Sequence, residues 1–161
     1  MMFQYNKSSQ FFAQIADGLT EIATEELAGL GARDIRAVYR GLHFTADHET
    51  LYRINYQTRL CSKISAALLT FDCHSTKYLY KTAIKIPWNE LLDQHKSFCI
   101  SSTVVNSHIN NSQYAALCLK DAIVDYFREQ TGTRPNVDRR TPDLWLDLYI
   151  SENQATISLD T

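Results

Sequence analysis

The sequence has no Cys-x-x-Cys pair. Its four cysteines, Cys61, Cys73, Cys99 and Cys118, stand far apart. That argues against a structural zinc or a redox dithiol and leaves buried thiols as the plain reading. No apolar run approaches the ~20 residues that cross a bilayer. The start, MMFQYNKSSQ, lacks the basic-then-apolar pattern of an export signal, so a cytoplasmic chain is the expectation. His43, His48, His74, His95 and His108 show no His-Glu-x-x-His spacing, and no serine stands in a Gly-x-Ser-x-Gly setting. Neither a metal site nor a hydrolytic nucleophile is legible. Repeats and low-complexity segments are missing too. An excess of basic charge is also lacking. The net charge is −2, with 7 basic and 8 acidic side chains in residues 1–75 and 9 and 10 in residues 76–161. A protein that grips nucleic acid by charge alone shows a basic excess. Any such reading here must rest on local clusters.

What is present is a chain of 161 residues, 45% apolar and 21% charged, enough for one ordinary soluble domain or two small ones. Phe11, Ala13 and Ile15 alternate as in a short buried strand. Asp17-Gly18 opens a helix with a stripe of Leu19, Ile22, Ala23, Leu27 and Leu30, and Gly31 is a fitting stop. Arg33–Arg40 and Leu42–Ala46 read as strands broken at Gly41. Asp47-His48 caps a helix to about Leu60, and Ile64–Phe71 reads as a strand. This order is ferredoxin-like, two helices over an antiparallel sheet. Beyond His74-Ser75 the spacing predicts a helix over Thr76–Ile86 and a short one over Trp88–Asp93. A strand over Ser97–Val105 and a long helix over Ser112–Thr131 follow, the helix core holding Ala115, Leu119, Ala122, Ile123 and Tyr126. Two strands end the chain, with Leu144, Leu146, Leu148 and Ile150 on one face of the first and Ala155, Ile157 and Leu159 inward on the second. The stop at Asp160-Thr161, at the edge of that strand, gives the expectation of a longer natural polypeptide. The fold class is α+β, with units at 1–75 and 76–161.

Asn111–Asp143 carries the chemistry. Small polar residues from Asn106 to Ser112 lead into the long helix, where free N–H groups and the dipole suit phosphate. Capping by Asn111 or Ser112 is the alternative there. Gly132 ends the helix, and Arg134, Arg139 and Arg140 cluster around Pro135 and Asp138. Their forks suit phosphate, although Asp138 and Asp143 fit a structural ion-pair network equally well. Lys77, Lys81 and Lys85 recur every fourth residue, either tracking a phosphate backbone or facing solvent. Gln113 and Lys120 share one helix flank, with an ion pair as the plainer role for Lys120. Phe71, Tyr78, Tyr80 and Trp88 offer rings for bases, with packing as the plainer role.

The segment NSQYAALCLKDAIVD at Asn111–Asp125, RPNVDR at Arg134–Arg139 and PD at Pro142–Asp143 closely resembles the THUMP domain. The version it resembles precedes the catalytic domain in bacterial large-subunit ribosomal RNA guanine methyltransferases. Gly18-Leu19, Leu30-Gly31-Ala32, Gly41-Leu42-His43-Phe44 and the ATISLD run at Ala155–Asp160 agree with it. The resemblance implies a THUMP α/β core with an antiparallel or mixed sheet after the ferredoxin-like unit; a family profile starting near His48 would also fit. It implies a parent that moves a methyl group from S-adenosylmethionine to a guanine exocyclic amine. Such an enzyme needs an acidic-Pro-x-x-Gly-x-Gly loop for the donor and an Asn-Pro-Pro-aromatic motif for the amine. Neither occurs in these residues. The implied role is therefore RNA holding, with ribosomal RNA as partner, no catalytic residue, no metal, no membrane, and the methyl donor bound by a downstream methyltransferase domain. The expected RNA contacts are Lys77, Lys81, Lys85, Asn111, Ser112, Gln113, Lys120, Arg134, Arg139 and Arg140. The rival readings are the same module on a transfer-RNA-modifying enzyme, and a protein–protein or dimerisation unit.

Overall fold

A computed structural model of the chain describes residues 2–161. These form two compact units, residues 2–68 with 160–161, and residues 69–159. The cut falls inside a strand, whereas the sequence division was drawn at the His74-Ser75 loop. No helix among the described residues is long and apolar enough to cross a membrane.

The first unit comprises α1 (Gln4–Ser8), β1 (Gln10–Ile15), α2 (Thr20–Gly29), β2 (Arg33–Val38), β3 (Gly41–Thr45), α3 (His48–Gln57) and the first part of β4 (Cys61–Asp72). Its strands run in the order β2-β3-β1-β4, each neighbouring pair antiparallel. Alternation puts Phe11, Ala13 and Ile15 inside, and Phe11 meets the Phe44 ring at 5.8 Å. The short α1 was not anticipated; it buries Phe3, against which Tyr5 stacks. In α2 the buried arc is narrow, centred on Ala23 and Leu27, and Ile22 stands 57% exposed. One step along a helix is about 100° of rotation, which takes Ile22, expected in the stripe, off the arc that packs. The β2–β3 break lies at Tyr39-Arg40, not at Gly41. Arg40 takes the left-handed turn position with φ 53°, and Gly41 opens β3.

Asp47 accepts the Thr50 N–H at 2.8 Å and starts α3 as expected. The helix stops at Gln57, short of Leu60, because Glu26 claims the next residues. Its carboxylate accepts from Thr58 Oγ1 at 2.7 Å, Arg59 N at 2.9 Å and Leu60 N at 3.3 Å. Burial works to raise the Glu26 pKa, yet these donors and the Arg59 charge together hold it below 4.5. A carboxyl depressed in the folded state contributes stability above its unfolded pKa and loses it as pH falls through the folded one. Glu26→Gln should therefore melt below the parent at neutral pH, with the gap closing as pH falls through the depressed Glu26 pKa. Thermal melts across that range check this, and a gap independent of pH would assign Glu26 a steric role only.

The second unit holds the end of β4, α4 (Thr76–Ala83), a 3-10 turn (Trp88–Glu90), β5 (Ser97–Val105), α5 (Ser112–Thr131), β6 (Asn136–Val137), β7 (Leu144–Ser151) and β8 (Gln154–Asp160). The order β8-β7-β5-β6 is mixed: β5 is parallel to β6 and β7, while β7 and β8 form an antiparallel hairpin. A parallel pair needs a crossover, and α5 supplies it. Asn111 caps α5 and Gly132, at φ 73°, ends it, the αL stop that glycine favours. Ala115, Leu119, Ala122 and Ile123 are fully buried. Phe127 takes the core place expected for Tyr126, whose hydroxyl instead donates to Asn89. Trp88 is fully buried, its indole N–H on the Ala83 carbonyl at 2.9 Å, so it is core and no base platform. α4 stops at Ala83 rather than Ile86, although Ile86 is buried as expected. Among the thiols Cys73 and Cys99 are buried, whereas Cys61 and Cys118 are half-buried.

Candidate nucleic-acid interface

The loop after Gly132 is held by its own backbone. Asn136 N donates to Lys96 O, Asp138 N to Phe98 O at 3.1 Å and Asp143 N to Ser97 O at 3.0 Å. These bonds staple residues 136–143 to the start of β5. Pro135 is buried and anchors the near side. The aspartates then serve backbone donors. Asp138 accepts from Arg140 N at 2.8 Å and Thr141 N at 3.2 Å through one oxygen, and from the Thr141 hydroxyl through the other. Asp143 accepts from Ser97 N at 2.8 Å and the Ser97 hydroxyl at 3.1 Å. Backbone donors, Arg140 N first for Asp138 and Ser97 N first for Asp143, hold both carboxyls below the usual aspartate range.

This answers the question left by the sequence, where two aspartates among three arginines fitted an ion-pair network. No such network forms among the described residues: Arg134, Arg139 and Arg140 are exposed, and no salt bridge reaches them. Their guanidinium groups face solvent from a loop whose backbone is fixed. Lys96 joins them, exposed and close enough to Asp143 to lower its pKa. Nothing local marks Lys96 in the sequence, because only the parallel pairing of β5 with β6 and β7 brings it to the loop.

Lys77, Lys81 and Lys85 are exposed and carry no carboxylate partner among the described residues. They do not form one helical row, since α4 ends at Ala83 and Lys85 sits in the following turn. α4 packs parallel to α5. Thr76 lies beside Cys118, the Tyr80 hydroxyl donates to Asp125 at 2.7 Å, and Asn89 meets Tyr126. The bond to Asp125 is the main cause pushing the Tyr80 phenol up to about 12. Lys77 thus lies toward the start of α5, and Lys81 and Lys85 toward its end.

At the start of α5 the side chains have local work. Asn111 Oδ1 accepts the Tyr114 N–H at 3.0 Å, the cap foreseen as the alternative. The Ser112 carbonyl accepts from Ser102 Oγ at 2.6 Å. Gln113 is exposed. Lys120 is paired with Asp121 at 2.6 Å, its plainer role. The structure therefore gathers Arg134, Arg139 and Arg140 at one end of β5 and puts Asn111, Ser112 and Gln113 at the other. The strand between them, Ser97–Val105, is roughly 26 Å long. Among the described residues no group of His, Cys, Asp or Glu side chains is placed to hold a metal.

Comparison with known proteins agrees with this architecture. The family described as RlmL ferredoxin-like domain matches residues 10–65. Two curated relatives, both named Ribosomal RNA large subunit methyltransferase K/L, come from Cellvibrio japonicus and Syntrophotalea carbinolica. Each is 36% identical over 151 residues, which is 94% of this chain and 20% or 21% of the relative. The chain thus spans about a fifth of the length of these relatives. Among solved structures, SMU.472, crystallised with SAH, aligns with TM-score 0.79 at 20% identity over 94% of this chain and 41% of that one. A 4-thiouridine synthetase in complex with RNA and ATP aligns with TM-score 0.56 at 15% identity over 94% and 40%. Both likenesses are of fold. The family described as THUMP domain matches residues 73–160, more than half of the molecule, and the chain belongs to that family.

Proposed function

We propose that this chain is the RNA-holding arm of a longer ribosomal RNA methyltransferase. In this reading it grips structured RNA by shape and backbone. A catalytic domain elsewhere in the same polypeptide moves a methyl group from S-adenosylmethionine to the exocyclic amine of a guanine. The observation that carries the reading is the arginine loop of a THUMP member, with its aspartates engaged by backbone donors and its guanidinium groups open. The names of the curated relatives support it, as do the SAH held by SMU.472 and the RNA held by the 4-thiouridine synthetase. Residues 1–75 then act as a ferredoxin-like support and residues 76–161 as the gripping unit, in a cytoplasmic protein. A filter-binding titration on ribosomal RNA fragments tests the reading. With three or four phosphate contacts, affinity should fall on the order of fiftyfold as salt rises fourfold. A chain that self-associates but retains no RNA at low salt would instead support the protein–protein reading.

A further inference from the structure

The two faces of the β5–β7–β8 sheet differ. One carries Leu146, Leu148, Ile150, Ala155 and Ile157, all 1% exposed or less, and meets α5 through the Ser102–Ser112 bond. On the other, Trp145 is 37% and Tyr149 46% exposed. Their neighbours are polar: the register sets Tyr149 between Thr103 and Thr156, and Asp147 between Ser101 and Ser158. We propose that this face is a stacking platform for unpaired nucleotides, with Trp145 and Tyr149 each taking one base. The proposal rests on the RNA-holding reading and adds which part of an RNA the unit takes.

Four observations favour single-stranded RNA as the occupant. Trp145 and Tyr149 sit four residues apart on β7, roughly 13 Å, so each ring serves a separate base; open sheets with spaced aromatics stack two or three bases in this manner. A protein partner would find two isolated rings among hydroxyls and a carboxylate, whereas interface cores are depleted of charge and serine. The Thr103 hydroxyl beside Tyr149 suits base edges and the ribose 2′-OH, whereas the Thr156 hydroxyl is bonded to that of Thr70 at 3.1 Å. Finally, cationic charge lies where the RNA backbone must pass. Trp145 pairs with Cys99, next to Ser97 and Phe98, onto which the arginine loop is stapled. The backbone of a strand stacked on these rings would run along the margin of the face, toward Lys96, Arg139 and Arg140.

The chain has two tryptophans, and Trp88 is fully buried, so quenching of intrinsic fluorescence by a stacked base reports on Trp145. The probes are a mixed-sequence single-stranded RNA of about eight nucleotides and an RNA duplex. Quenching is expected with the single strand and not with the duplex. Trp145→Ala and Tyr149→Ala should each weaken single-strand binding about tenfold while leaving duplex binding within about twofold. The quench needs no variant, so a variant that fails to fold leaves the test intact. If ribosomal fragments bind but neither quenching nor loss in the variants is seen, the platform is wrong and the RNA-holding reading stands. If no RNA binds at all, both fail. A change in oligomeric state on Trp145→Ala, without change in RNA binding, would make this a protein-docking face and overturn the proposal.

Discussion

Replacing Arg134, Arg139 and Arg140 together by glutamate is expected to weaken binding of ribosomal RNA fragments on the order of a hundredfold at moderate salt. The slope of log affinity against log salt should become shallower by about two to three, since each lost phosphate contact removes ~0.7–0.9. The size of the effect follows from preorganisation. The Arg140 and Thr141 N–H groups are fixed by Asp138 and the Asp143 N–H by Ser97, so little backbone freedom is lost when phosphate arrives. A guanidinium also offers a planar fork, whereas an ammonium is a point charge on a flexible stem. The same reversal of Lys77, Lys81 and Lys85 should therefore cost less, about tenfold. Lys120→Glu should cost less still, because Lys120 is already committed to Asp121. All three arginines are exposed, so the fold should persist, and thermal melts would verify that. Filter binding at several salt concentrations ranks the variants. An arginine triple variant that binds like the parent would remove this loop from the interface.

The second large effect is on stability. Gly41→Ala should destabilise the first unit by about 2–3 kcal/mol, and Gly41→Val by more. The reason is space rather than backbone dihedral. A Cβ there would lie 2.2 Å from Phe12 Cε2 and Cζ and 2.7 Å from the Ala13 carbonyl oxygen. The Phe12 ring can swing, at the cost of its contact with His43 at 5.3 Å. The Ala13 carbonyl is backbone of β1, and Ala13 pairs with Leu42 in the same ladder, so it cannot yield without breaking the sheet. Thermal or urea denaturation measures the loss. Gly29→Ala is the control: nothing lies within 4 Å of its added Cβ and it sits in α2, so it should be neutral or slightly stabilising. A Gly41→Ala variant as stable as the Gly29 control would mean that β1 and β3 have room this packing denies.

Legibility in the sequence followed the range of the forces. Where a local rule decides, the residues spoke clearly. Asp47 and Asn111 cap the helices they precede, Gly132 ends α5, and the alternation over Leu144–Ile150 gives β7 its buried face. Where a distant partner decides, they did not. Glu26 shortens α3 from thirty-two or more positions away, and Lys96 reaches the arginine loop only through parallel strand pairing. Ile22 and Tyr126 carry apolar character at core-like spacing, yet the arc that packs is narrower than the stripe that could. The aspartates in the arginine loop were the subtlest case. Sequence proximity suggested ion pairs, whereas backbone N–H groups at 2.8 Å, that of Arg140 from the turn itself and that of Ser97 from β5, outcompete flexible guanidinium ends for the same oxygens.

The arginine loop cannot be inherited by a peptide. Its arrangement depends on Ser97 and Phe98, and the Ser97–Asp143 bond closes across 46 positions of sequence. β5 waits for β7 to arrive after the whole of α5. A synthetic segment spanning residues 112–143 would carry the same charges with no scaffold to array them. The array of these cationic groups is a property of tertiary architecture, acquired only when the last crossover has closed.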